Sequence, residues 1–228
     1  MTTPSPPKVI IAIDGPAGAG KSTIASRLAR KLGYVNLESG AMYRALALKA
    51  IEWDVCFDEE SALVNLAHNT RIQLEPSRGG NRVLLDGRDV SQRVRELDVT
   101  EAASRVSVHP GVRQWMVARQ REMGAAGGVV MEGRDIGTQV FPAAEVKIFL
   151  DADPVVREQR RLKQHPTLHS DAAQTMAAEL RERDRRDRTR ATSPLVPAEG
   201  ALRLDSTHLS EDEVLQKVEE WVWQKLQR

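Results

Sequence analysis

Cysteine is nearly absent: Cys56 is the one example in 228 residues. That excludes a disulfide framework within the chain and argues against a cysteine-based metal site. It fits a reducing compartment. Aromatic residues are scarce, at 4%. Binding of single-stranded nucleic acid needs basic grooves interleaved with aromatic platforms, and no such stripe exists here. No stretch approaches the roughly 18 apolar residues of a membrane span. The run Val9–Ile13 is too short for a signal-peptide core. The expectation is a cytoplasmic protein. Lysine is also scarce, with 8 lysines against 25 arginines. Arginine presents a planar fork of donors suited to phosphate and carboxylate. The formal net charge is only +1, so the whole molecule is no polyelectrolyte binder, and function must be sought in where the arginines stand.

What is present is an alternation of short apolar runs with helical patterns. VIIAID (Val9–Asp14), GVVME (Gly128–Glu132), VKIFLD (Val146–Asp151), ALRLDS (Ala201–Ser206) and the weaker YVNLES (Tyr34–Ser39) read as strands. The expected fold is α/β: a five-stranded parallel sheet covered by helices on both faces. Ligands in such folds sit beyond the carboxyl ends of the strands. Between about Leu66 and Ser104 the rhythm changes. Two alternating runs flank the Gly-rich turn Arg78–Asn81, which predicts an antiparallel hairpin in a small inserted subdomain. Residues 1–8, MTTPSPPK, read as a disordered arm. Near the other end, Ser210 and Glu213 form a capping box before a helix whose apolar face runs Val214, Leu215, Val218, Trp221, Val222.

The strongest single motif is GPAGAGKST, comprising Gly15, Pro16, Ala17, Gly18, Ala19, Gly20, Lys21, Ser22 and Thr23. It matches G-x-x-x-x-G-K-[ST] between a strand and a helix. Glycines let the backbone approach the ligand, so that amide hydrogens surround phosphate oxygens. The helix N-terminus adds its positive end. Lys21 can reach terminal phosphates, and the Ser22 hydroxyl can bind Mg²⁺. The loop implies a nucleoside triphosphate. The base-reading N-K-x-D of GTPases and the L-S-G-G-Q of transporter ATPases are missing. A small-molecule kinase remains.

Three clusters bear on the acceptor. ESGAMYR (Glu38–Arg44) places Ser39 and Gly40 at a strand end and Arg44 near a helix start. MEGRDIGTQVFP (Met131–Pro142) puts Arg134 and Asp135 side by side after another strand. In RERDRRDRTR (Arg181–Arg190), Arg183, Asp187 and Arg190 fall at i, i+4 and i+7 on one helical face, while Asp184 and Arg188 read as surface charges. Taken singly, the first is equally consistent with a capping serine and a surface arginine, the second with a structural ion pair, and the third, as a bare charge run, is most simply a solvated helix face. A kinase for another acceptor (UMP, AMP or a metabolite hydroxyl) and a nucleotide-dependent regulatory module acting on nucleic acid are both open readings at this point.

In order along the chain, GPAGAGKST, ESGAMYR, EGRDIGTQVFP, KIFLDA, RERDRRD, SPLVPA and LRLDST resemble bacterial cytidylate kinases, from about Val9 to Arg228. The resemblance implies a single nucleoside monophosphate kinase domain over residues 9–228, with CMP-binding helices at 39–65 and 105–124. It also implies an inserted subdomain at 66–104 and a lid at 153–170. It implies ATP-dependent phosphorylation of CMP and dCMP with Mg²⁺ held through Ser22. Ser39, Arg113, Asp135 and Arg190 would read cytosine. Arg44 and Arg134 would hold the CMP phosphate. Arg183 and Asp187 would contact the ribose, with Tyr43 in the same CMP-binding set. Lys21, Arg134, Arg157 and Arg161 would serve catalysis, Arg157, Arg160 and Arg161 lying in or beside the lid. The expected partners are ATP, CMP and dCMP, with no nucleic acid and no membrane, acting on a monomer.

Overall fold

The computed structural model describes residues 8–77, 80–163 and 170–227. The arm (to residue 7), the hairpin tip at 78–79, the later part of the expected lid (164–169) and residue 228 lie outside the described residues. The chain divides into two compact units, one formed by Met1–Asn36 with Gly124–Arg228 and one by Leu37–Met123.

In the first unit, strand β1 (Ile10–Asp14) runs into the glycine-rich loop and helix α1 (Lys21–Leu32). Strand β2 (Val35–Glu38) then leads the chain into the second unit. The chain returns in β6 (Val129–Gly133), β7 (Val146–Asp151), α6 (Pro154–Lys163), α7 (Ser170–Thr189), β8 (Leu202–Asp205) and α8 (Glu211–Leu226). The sheet order is β2-β6-β1-β7-β8. The β1–β6, β1–β7 and β7–β8 ladders are parallel. Each strand expected from the sequence is a strand of this sheet, with ends shifted by one residue or so.

The core explains why these runs are strands. Ile11, Ile13, Ile148 and Leu150 pack with Ile24 and Leu28 of α1 and with Val214, Val218 and Val222 of α8. Period-2 apolar residues from the sheet meet period-3.6 stripes from two helices. Helix α8 starts where its capping box predicts: Ser210 Oγ accepts from Glu213 N at 3.3 Å, and Ser210 N donates to Glu213 Oε2 at 2.8 Å.

The second unit holds α2 (Ser39–Glu52), α3 (Glu60–His68), α4 (Leu97–Val106) and most of α5 (Pro110–Gly124). With them is a three-stranded antiparallel sheet, β3 (Ile72–Ser77), β4 (Gly80–Leu85) and the short β5 (Arg88–Asp89). In α2 an all-round apolar surface buries Ala45, Leu46, Ala47 and Leu48 together. Buried Lys49 ties this helix to the small sheet, donating to Asn69 O at 2.6 Å and pairing with Asp86 at 2.8 Å.

One position shows how tightly the first unit closes on its own loop. Gly15 has φ +148, and a Cβ there would stand 1.9 Å from the Leu150 carbonyl oxygen. Both the dihedral and the space require glycine. Gly15→Ala is expected to destabilise the fold by about 2–4 kcal/mol in urea unfolding, combining backbone strain with a clash against main chain that cannot move away. An unchanged midpoint would contradict this packing.

Candidate active site

The glycine-rich loop offers ligands little but backbone, so its shape depends on what stands behind it. A Cβ at Gly18 would meet the Arg157 carbonyl oxygen at 2.9 Å. The Arg157 side chain is 3% exposed and donates to Ala152 O at 2.9 Å and to Ala17 O at 3.1 Å. It also pairs with Asp184. Ser206, in LRLDST, accepts from Arg160 at 2.9 Å, and its single hydroxyl proton has two carbonyl acceptors in reach, Asp151 O at 3.0 Å and Ala19 O at 3.3 Å. One expectation changes here. Asp184, read as a surface charge, is buried. It extends the inward stripe of α7, Met176–Leu180–Asp184–Asp187, whose spacing of four, four and three follows the helical repeat. Arg157, expected in or beside the lid, is fixed beneath the loop, where Asp184 and two carbonyls replace its water. Arg188 does stand near the surface, 3.2 Å from Asp151.

Lys21 opens α1, is 5% exposed and donates from Nζ to Pro16 O at 2.7 Å. Burial, then the charge of Arg134, pull its ammonium down to about 7, with Arg183 adding to the effect and Glu132 opposing it. The charges of Arg134 and Arg183 therefore both reach Lys21. Arg134 donates from Nε to Asp187 Oδ2 at 2.9 Å. Burial opposes its charge, and Asp187 and Glu132 outweigh burial. Arg190 donates to Asp187 Oδ1 at 3.2 Å and to Ser193 O at 2.6 Å. Leu195 N donates to Asp187 O at 2.8 Å, so the SPLVPA segment braces the end of α7. Arg183, Asp187 and Arg190 thus join Arg134 in one network, and Asp135 beside them is 5% exposed. Arg161 is partly buried, and burial lowers its guanidinium from the ordinary value.

A residue with no assigned role in the sequence also belongs here. Ser22 Oγ donates to Glu132 Oε1 at 2.8 Å. Glu132 is 8% exposed, near the end of β6, the strand beside β1. The signal was legible: an acid closing an apolar strand is a costly residue to bury without a task.

In the second unit, Ser39 begins α2 and is 6% exposed. Arg44 lies one turn on, 4.0 Å from Glu38. Arg113, 3% exposed on α5, stacks over the Tyr43 ring at 5.8 Å and donates to Ser107 O at 3.2 Å.

A strand–glycine loop–helix unit with a buried lysine, a hydroxyl–carboxylate pair and a cluster of arginines defines a P-loop kinase. A gluconokinase from Sinorhizobium meliloti shares the fold, with a TM-score of 0.50 and 11% identity over 96% of this chain and 94% of that one. The cytidylate kinase family profile matches residues 11–224. The cytidylate kinase of Anoxybacillus flavithermus is 49% identical over 92% of this chain and 94% of its own. That of Aeromonas hydrophila is 48% identical over 95% of both. The chain belongs to the cytidylate kinase family and is a phosphotransferase.

The Asp187 network carries a pH signature. Burial raises its carboxyl, but Arg134, Arg183 and Arg190 outweigh burial and hold it below the ordinary 3.8. A native value below the unfolded one stabilises the fold fully above 3.8, and the contribution fades as pH falls through the native value. Asp187→Asn should therefore lower unfolding free energy at neutral pH by about 1–3 kcal/mol. The gap to wild type should close in acid. A gap of constant size across that range would refute the ionised network.

Proposed function

We propose that this protein transfers the γ-phosphoryl group of ATP to CMP and dCMP, giving ADP with CDP or dCDP. One observation carries the reading: the phosphate-loop Lys21 is buried, and after burial itself the charge of Arg134, held by Asp187 at 2.9 Å, does most to lower its ammonium, so cations of the donor and acceptor motifs stand close together. Such a cluster is poised for anions, and two phosphate groups supply the missing negative charge.

The nucleophile is an oxygen of the CMP phosphate, already anionic, so no strong general base is required. The task is to bring two anions together in line. Backbone N–H groups of Ala17–Thr23 cradle the triphosphate, and Lys21 and Arg134 neutralise charge as it shifts toward the leaving ADP. Arg157, pinned to Ala17 O, keeps the loop in shape. Arg161 supplies further positive charge to the lid.

Ser22 and Glu132 are the residues that would hold Mg²⁺. Their oxygens are hard donors only 2.8 Å apart. Among the described residues no group of three or more His, Cys, Asp or Glu forms a cage, which suits an ion that also takes oxygens from phosphate and water. Held by Ser22 and Glu132, the ion would supply positive charge to offset that of the phosphates.

Base choice follows from Asp135. Cytosine offers an exocyclic amino donor where uracil offers a carbonyl acceptor, and a carboxylate accepts from the first and repels the second. Arg113 and Ser39 serve the ring's polar edge, with Tyr43 stacked on Arg113. Arg44 and Arg134 take the CMP phosphate. Arg183, Asp187 and Arg190 take ribose and base, the Asp187 carboxylate retaining lone pairs beyond those given to Arg134 and Arg190. The exposed free thiol of Cys56 fits the cytoplasm, where these nucleotides are found, and the reading is of a monomer. No described helix is long and apolar enough to cross a membrane.

A coupled assay of ADP formation with CMP, dCMP, UMP and AMP tests the proposal, and CMP and dCMP should lead by at least about tenfold. Lys21→Ala should cut kcat by about a hundredfold or more. Near-normal turnover would reject the role of the loop. Asp135→Ala should lower kcat/KM for CMP far more than for UMP. Equal losses would count against base reading.

A further inference from the structure

Strand β6 leaves its ladder with β1 at Gly133, whose Cα partner is Asp14. Three residues on, the backbone turns back to the same residue. Ile136 N donates to Asp14 Oδ1 at 2.8 Å, and Gly137 N donates to Asp14 Oδ2 at 2.7 Å. Arg134 and Asp135 therefore form a short step held at both ends by Asp14. The residue after Asp14 is Gly15, the first of the phosphate loop.

We infer that Asp14 is a positioning residue that sets Arg134 and Asp135 in register with the phosphate loop, and through them governs which nucleotide is accepted. The inference rests on the acceptor roles proposed above for Arg134 and Asp135. The chemistry calls for a carboxylate. Both oxygens accept from an N–H, whereas an asparagine has one acceptor oxygen and would turn its own N–H₂ toward the second donor. The site is 3% exposed, so water cannot stand in. A charge in such a place is costly: burial pushes Asp14 up to about 7 against the pull of the Gly137 and Ile136 N–H groups, with Asp135 raising it further and Lys21 lowering it. An apolar residue would fill the space more cheaply, but it would release the step. Gly137 closes the clamp from the other side, since a Cβ there would meet Ala198 Cβ at 3.2 Å and Asp14 Oδ2 at 3.3 Å. Gly137→Ala therefore disturbs the clamp without removing the charge.

Steady-state kinetics on the full chain, varying CMP, UMP and ATP in turn, test this. For Asp14→Asn, KM for CMP should rise about tenfold and the CMP:UMP ratio of kcat/KM should fall about tenfold, while KM for ATP stays within about threefold. Gly137→Ala should move the same quantities in the same direction. In the Asp135→Ala background, Asp14→Asn should cause no further loss of selectivity, because both act through one carboxylate. Equal losses for ATP and CMP, an unchanged CMP:UMP ratio, or multiplying selectivity losses in the double variant would each overturn the inference. If Asp14→Asn fails to fold by circular dichroism, Gly137→Ala decides. Failure of both to fold would reduce Asp14 to a structural residue and end the proposal. Wild-type protein that makes no CDP would instead sink the acceptor assignment, and this inference with it. Wild type that makes CDP while Asp14→Asn keeps its selectivity would sink the inference alone.

Discussion

Positive charge gathered in one buried place, before any ligand arrives, is the constraint from which the rest of the first unit follows. Lys21 and Arg134 repel each other, and burial strips both of water. The fold answers with carboxylates: Asp187 on Arg134 and Arg190, Glu132 beside Ser22 and acting on Lys21, Asp14 under the step that carries Arg134. Each is itself buried and would be unfavourable alone. Together they hold the cations in one geometry while leaving the lysine short of compensation. In the proposed reaction that shortfall is what phosphate would fill, in keeping with charges preorganised for a transition state.

The second theme is support from behind. A loop built from Gly, Pro and Ala has no side chains with which to stiffen itself. Its carbonyls at Ala17 and Ala19 accept from Arg157 and Ser206, and Arg160 fixes Ser206 in turn. These braces come from the last third of the chain, at the ends of β7 and β8 and along α6. The KIFLDA and LRLDST motifs therefore sit where the loop needs anchoring, and Arg157 and Arg160 of α6 have a holding role.

Much was legible in the order of the residues. Runs of alternating and continuous apolar residues marked the five strands, because burial on a sheet demands them locally. The glycine loop was readable because backbone geometry and phosphate chemistry both constrain neighbouring residues. The capping box at Ser210 was readable because its partners lie three residues apart. The grouping of Arg183, Asp187 and Arg190 followed from helical repeat alone.

What local pattern could not supply was partnership across the fold. Asp184 looked like one charge among many until α6 placed Arg157 against it. Glu132 stood in MEGRDIGTQVFP and Asp14 closed VIIAID without a role assigned to either: which partners they hold comes from Ser22, more than a hundred residues from Glu132, and from two amide hydrogens just past the end of a neighbouring strand. The amino-acid sequence by itself determined the class of fold, the phosphate loop and the set of acceptor candidates, since those depend on residues close together in the chain. Only the tertiary structure decided which charges are buried, which are paired and which residue holds another in place, because desolvation and hydrogen bonding are properties of the assembled surroundings and not of any segment.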